Sequence, residues 1–167
     1  NTAVELEEDV KASWANVESA YQRRTDLIPN LVNTVKGAAD FEQETLTGVI
    51  EARAKATAVN INADNLDSAS LQKFQEAQSG LSSALSKLMV SVERYPQLTA
   101  TQNFSNLQSQ LEGTENRINV ERNRFNEKVR AYNTYIRKFP NNIFAGMFGF
   151  EKMTPFEAQA GAENAPT

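Results

Sequence analysis

Residues 21–37 read YQRRTDLIPNLVNTVKG: two arginines, an Asx-type capping residue and a proline set between two helical patterns. How this stretch is read decides the fold. Upstream, Val10, Trp14, Val17 and Tyr21 recur at spacings of four, three and four, one apolar stripe of a helix. Arg23 and Arg24 then fall in what would be its last turn, where cations complement exposed carbonyls. Asp26 is placed to cap a second helix, with Pro29 in the first turn, where its missing N–H costs nothing. The stretch therefore predicts a helix stop, a cap and a helix start, with Arg23, Arg24, Asp26 and Pro29 forming a structural corner rather than a recognition loop.

Downstream of that corner, Ile28, Leu31, Val35, Ala38, Leu46, Val49, Ala56 and Val59 predict a second helix ending in NINADN, residues 60–65. Leu66 and Leu71 bracket Asp67 as a hydrophobic staple around a cap. From Leu71 the stripe continues through Phe74, Gln78, Leu81, Leu85, Leu88, Val92 and Tyr95 until Pro96. Thr99 with Gln102 suggests a capping box for a fourth helix. Its stripe is Phe104, Leu107, Leu111, Ile118, Phe125, Val129, Tyr132, Ile136 and Phe139, closed by Pro140. No strand pattern or convincing repeat interrupts this. The expectation is an all-α, antiparallel up-and-down four-helix bundle with long helices at about residues 3–25, 27–60, 67–95 and 100–139, forming one domain over 1–156. It carries an aromatic C-terminal tail, and residues 157–167 are small, polar and expected to be disordered.

Composition narrows the chemistry. The chain has 167 residues, net charge −4 and a pI near 5.0, which argues against nucleic acid as a partner. It contains no cysteine and no histidine, which removes thiolate catalysis, Ser-His sites, histidine zinc sites and the Glu-x-x-His motif of di-iron bundles. No cofactor is expected. No apolar run approaches the roughly 18 residues of a membrane span. The sequence begins at Asn1 without Met, so removal of an upstream signal, anchor or tag is expected.

The segments RRTDLIPNLVNTVKG (23–37), ERYPQL (93–98), ENRI (115–118) and RFNEKVRAYNTYIRKFP (124–140) together resemble the LemA family, in the family's order and over nearly the whole chain from Val4 to Phe156. The family pattern has a His, a Lys and a Tyr where this chain has Phe41, Thr99 and Phe125. The resemblance implies a mostly helical bacterial domain, preceded by one N-terminal transmembrane helix and so anchored at the cell membrane. It implies no established biochemical activity.

Three polar groupings remain. Glu42, Gln78 and Glu115 interrupt the apolar stripes, and in an up-down-up-down bundle they fall at one level, about 21, 25 and 22 Å from the same end. Such a layer suits either register-fixing polar pairs or a metal or acid–base site. Without histidine the structural reading is preferred. Asn116, Asn119, Asn123, Asn126, Arg130, Asn133 and Arg137 follow three-four spacing beside the last helix's stripe. Asparagine is a poor helix former, so the row is unexpected for solvation alone; a solvated face or amide bonds to a neighbouring helix across the bundle flank is the preferred reading, and a protein-docking face the functional one. In the tail, Ile143, Phe144, Met147, Phe148, Phe150, Met153 and Phe156 are expected to plug the open end of the bundle, Phe144 foremost. The alternative is that they face the bilayer beside the start of helix one. The resulting expectation is a non-enzymatic, membrane-tethered interaction or scaffold domain with a protein partner. A small-molecule or metal-binding bundle, including an accessory enzyme using the carboxylate layer, is the alternative.

Overall fold

The computed structural model describes residues 2–37, 41–64, 66–138 and 141–156. It is all-helical, with no strand among the described residues. Six helices follow one another: α1 Thr2–Lys36, α2 Gln43–Ala58, α3 Ser68–Val92, α4 Pro96–Thr99, α5 Gln102–Arg137 and α6 Asn141–Phe148. The helix α1 packs along α5, and α2 packs along α3. Cross-contacts give the directions. Tyr21 meets Arg122 while Arg24 meets Glu115, so α1 and α5 are antiparallel. Glu42, just before α2, meets Arg94, just after α3, so that pair is antiparallel too. Ala38, Phe139, Pro140 and the 157–167 segment lie outside the described residues.

The expected corner at residues 23–29 does not exist. One 35-residue helix runs through it with Pro29 inside. A proline there strips the carbonyl four residues back of its usual donor. That carbonyl belongs to Thr25, and Arg53 of α2 reaches across to donate to it through Nε at 3.2 Å. Asp26 caps nothing; it accepts from Gln22 Nε2 one turn earlier, at 2.8 Å. The break between helices falls instead between Lys36 and Gln43, so α2 has only 16 residues.

Other termini follow side-chain chemistry. Asp67 accepts from Ser70 N at 2.7 Å as the cap of α3, and its staple partners Leu66 and Leu71 both join the core. The cap of α5 is Thr101, which accepts from Phe104 N, and not Thr99. Pro96 opens the short helix α4, and Thr99 is its last residue, turned back to the Pro96 carbonyl.

The core forms two apolar clusters. One contains Ile28, Leu31 and Val35 of α1, Leu46 and Val49 of α2, Leu81 to Val92 of α3, and Phe104 to Leu111 of α5. The other contains Val10 to Tyr21 of α1, Leu71 and Phe74 of α3, and Ile118 to Ile136 of α5. Between them each of these three helices skips one heptad's worth of apolar residues: 21 to 28, 74 to 81 and 111 to 118. A polar waist fills the gap.

Candidate functional site

The waist is organised by Arg24. Its side chain extends the α1 stripe at three residues beyond Tyr21 and four before Ile28, so the helix points it inward, and it is fully buried. Its Nη1 donates to Glu115 Oε1 at 2.7 Å and to Ser82 Oγ at 2.7 Å. Its Nη2 donates to the Gln78 side-chain oxygen at 2.8 Å and to the Gln78 carbonyl at 3.2 Å. The guanidinium also lies 5.4 Å from the Tyr21 ring centroid. Gln78 is buried, whereas the Glu115 side chain keeps half its surface in solvent. Both terminal nitrogens of the buried arginine are thus held from α3 and α5 at once, while its Nε has no hydrogen-bond partner, and the arrangement ties the register of three helices.

Two of the three residues expected in the polar layer meet here, and the third does not. Glu42 sits at the far end, immediately before α2, accepting from Arg94 Nη1 at 3.0 Å and Thr45 Oγ1 at 3.1 Å. The expected level assumed a second helix starting near residue 27; with α1 unbroken to Lys36, Glu42 moves to a helix start. Among the described residues no three carboxylates come together as a metal-binding group. The layer's cation is Arg24, which the expected helix end at residues 23–24 keeps out of the core. Its spacing on the stripe was the available signal, and Arg23, one residue off it, is exposed beside a cleft of about 570 Å³ between α1 and α5.

One turn from the waist, Arg122 Nη1 donates to the Tyr21 hydroxyl at 3.3 Å. Burial pushes the Tyr21 phenol above its ordinary pKa, although Arg122 and Arg24 both favour the charged form. Farther along, burial, with lesser help from Glu7 and Glu151, pushes Tyr132 up to about 12.

The asparagine row divides. Asn116, Asn119 and Asn123 are exposed, as are Arg130 and Arg137. Asn126 and Asn133 are half-buried and hold the tail. Asn133 accepts from Met153 N and donates to Met153 O, both at 2.8 Å. Asn126 accepts from Phe156 N at 2.7 Å and donates to Phe156 O at 3.4 Å.

The tail plugs the bundle only in its second half: Phe150, Met153 and Phe156 pack against the core, whereas Ile143, Phe144, Met147 and Phe148, expected to do so with Phe144 foremost, do not. In α6 only Ala145 is buried, the small side chain that lets the helix lie close to its neighbours. Phe144 and Phe148 are 53% and 66% exposed, with Ile143 and Met147 beside them at 52% and 72%. After α6, Gly149 adopts φ 77°, a left-handed conformation suited to glycine, and Phe150 N returns to Ala145 O at 2.8 Å. This closing turn sends residues 150–156 back along α5. Phe156 is buried, stacked on Trp14 with centroids 5.8 Å apart and edge-on to Phe125 at 5.5 Å.

The LemA family model matches residues 13–167. The chain belongs to the LemA family. It is also similar to two proteins of Paramagnetospirillum magneticum named Magnetosome protein MamQ 1 and MamQ 2, each 26% identical over 98% of this chain and 66% of the relative. Magnetosome protein MamQ of Magnetospirillum gryphiswaldense is 27% identical over 96% of this chain and 66% of its own length. This chain therefore spans just under two thirds of the relatives it matches. In the LemA-family chain described here, no described helix is long and apolar enough to cross a membrane.

Proposed function

We propose that this LemA-family chain is a non-enzymatic, membrane-tethered interaction domain of the bacterial cell membrane. The observation that carries the reading is the outer face of α6. Ile143, Phe144, Met147 and Phe148 form a contiguous exposed apolar surface on an eight-residue helix. Scattered exposed apolar residues are ordinary, but a patch of this kind marks a contact surface. It lies at the end of the molecule where α1 begins, since Ala3 lines the same small recess as Phe144 and Phe148. A helix with aromatic and aliphatic side chains outward and its small residue inward suits the lipid headgroup boundary.

In this arrangement the α1–α5 pair stands away from the bilayer for roughly 50 Å, the length of a 35-residue helix. Asn116, Asn119 and Asn123 lie on exposed α5 surface away from α6 and form the protein-docking part of the asparagine row. The Arg24 waist is a register device, its polar groups directed at one another. Family membership supports the membrane setting and the non-enzymatic reading. Flotation with vesicles of mixed phosphatidylcholine and phosphatidylglycerol tests it. The native chain is expected to float, and the Phe144→Ser, Phe148→Ser variant to remain below with unchanged circular dichroism. Equal flotation of the two, or none by either, would contradict membrane contact through α6.

A further inference from the structure

The strap formed by residues 150–156 is not helical, yet it ends in a buried aromatic ring. Phe156 sits among Trp14, Phe74 and Phe125, with the Arg122 guanidinium 4.7 Å from its ring centroid. Its pocket is built by α1, α3 and α5, so the walls belong to elements that do not depend on the strap for their own backbone hydrogen bonds.

The backbone is read separately from the ring. Asn126 and Asn133 each exchange two hydrogen bonds with one strap residue, donating to its carbonyl and accepting from its N–H. That is the pairing a neighbouring β-strand would supply, made here by two carboxamides on a helix. The spacing matches: seven helical residues rise about 10.5 Å, and three extended residues span about 10 Å. Glu151, Lys152 and Pro155 of the strap are exposed. Recognition therefore rests on an extended backbone, an apolar residue at Met153 and an aromatic ring three positions later.

We infer that this groove is a peptide-recognition site whose resident occupant is the chain's own strap, and that it accepts the same strap from a second copy of the chain. The second copy is the partner whose fit is already visible, because exchange preserves each carboxamide bond and ring contact. Gly149, with its left-handed backbone, stands where the strap leaves α6 and is the hinge. Exchange of an identical element is a low-cost route to association.

Trp14, the single tryptophan of the chain, reports occupancy. The probe is a synthetic peptide of residues 150–158, FEKMTPFEA, added to the full-length Phe156→Ala chain. A saturable change in Trp14 emission is expected, absent for the peptide whose Phe156 is replaced by Ala. Adding Asn126→Ala to the acceptor should weaken it. The native chain should respond at least roughly tenfold more weakly, because its tethered strap competes at an effective concentration in the millimolar range. Mixing full-length Phe156→Ala acceptor with a full-length Asn126→Ala, Asn133→Ala donor should give a one-to-one complex by sedimentation. A folded acceptor indifferent to peptide, or equally responsive to the alanine peptide, would overturn the groove. Peptide binding with no complex between chains would overturn the second-copy assignment. If Phe156→Ala does not fold, Phe156→Leu serves as acceptor, with the same outcomes decisive.

Discussion

Residues 141–148 and 150–156 are two halves of one apolar segment, separated by a single glycine, and the fold treats them oppositely. The first half is a helix that buries an alanine and exposes two phenylalanines. The second half is extended and buries its terminal phenylalanine against Trp14. Each holds two phenylalanines and one methionine, so the large apolar side chains do not separate them; Pro155 in the second half and the available partners do. Beside α5 the strap finds Asn126 and Asn133 for its backbone, and a ring of aromatics for Phe156. The helix satisfies its own backbone, so its outward rings are left for something outside the chain.

The largest effect should come from the strap. Phe156→Ala empties a core site and is expected to cost about 3–5 kcal/mol, measured by chemical denaturation. A cost near zero would put the two halves on equal terms and remove the contrast. Arg24→Ala calibrates this against the waist. It should cost roughly 3 kcal/mol, the low end for breaking a buried pair, because the Glu115 carboxylate left behind is half solvated. Arg24→Met, which fills the space without charge, should recover much of that loss. If it does not, the waist stabilises through more than packing and register.

Asn126→Ala should cost about 1 kcal/mol, the usual worth of a partly buried hydrogen-bonded pair, and should raise hydrogen exchange at the Phe156 amide selectively. Uniform exchange changes along α5 would mean the asparagine serves the helix rather than the strap. Phe148→Ala should shift stability by no more than about 0.5 kcal/mol, as for an exposed position. A larger loss would show that α6 also packs inward. The smallest effect is a pH dependence at the start of α3. The Ser70 amide and hydroxyl hold the Asp67 carboxyl below its ordinary pKa. Its contribution is therefore present above the unfolded value of 3.8 and is lost as pH falls through the lower folded value. Asp67→Asn should flatten that part of an acid melt slightly.

Much of the helical content was legible, because stripes of three-four spacing and caps such as Asp67 are local. The fate of Pro29 was not. A local rule sees only the missing N–H, while the donor that compensates Thr25 stands 28 residues away on Arg53. Pro96, whose preceding residues end α3, behaves as the local rule expects. The same misplaced corner puts Glu42 in the polar layer, where the structure does not have it, and leaves Arg24 out, although the stripe spacing around Arg24 is readable. In the tail, apolarity was plain, but which ring turns inward depended on the seven-residue interval between Asn126 and Asn133 pairing with a three-residue interval in the strap. Those asparagines were legible as unusual helix residues, and their partner was not.

The most direct measurement of membrane contact uses the absence of cysteine from the chain. Single Met147→Cys and Gln97→Cys variants, labelled with the same environment-sensitive fluorophore, place one probe on the outer face of α6 and one at α4. On addition of anionic vesicles, the probe at position 147 should shift to the blue and be quenched by bromolipids, while the probe at position 97 remains unchanged. No shift at 147, or equal shifts at both positions, would contradict a bilayer contact made by α6.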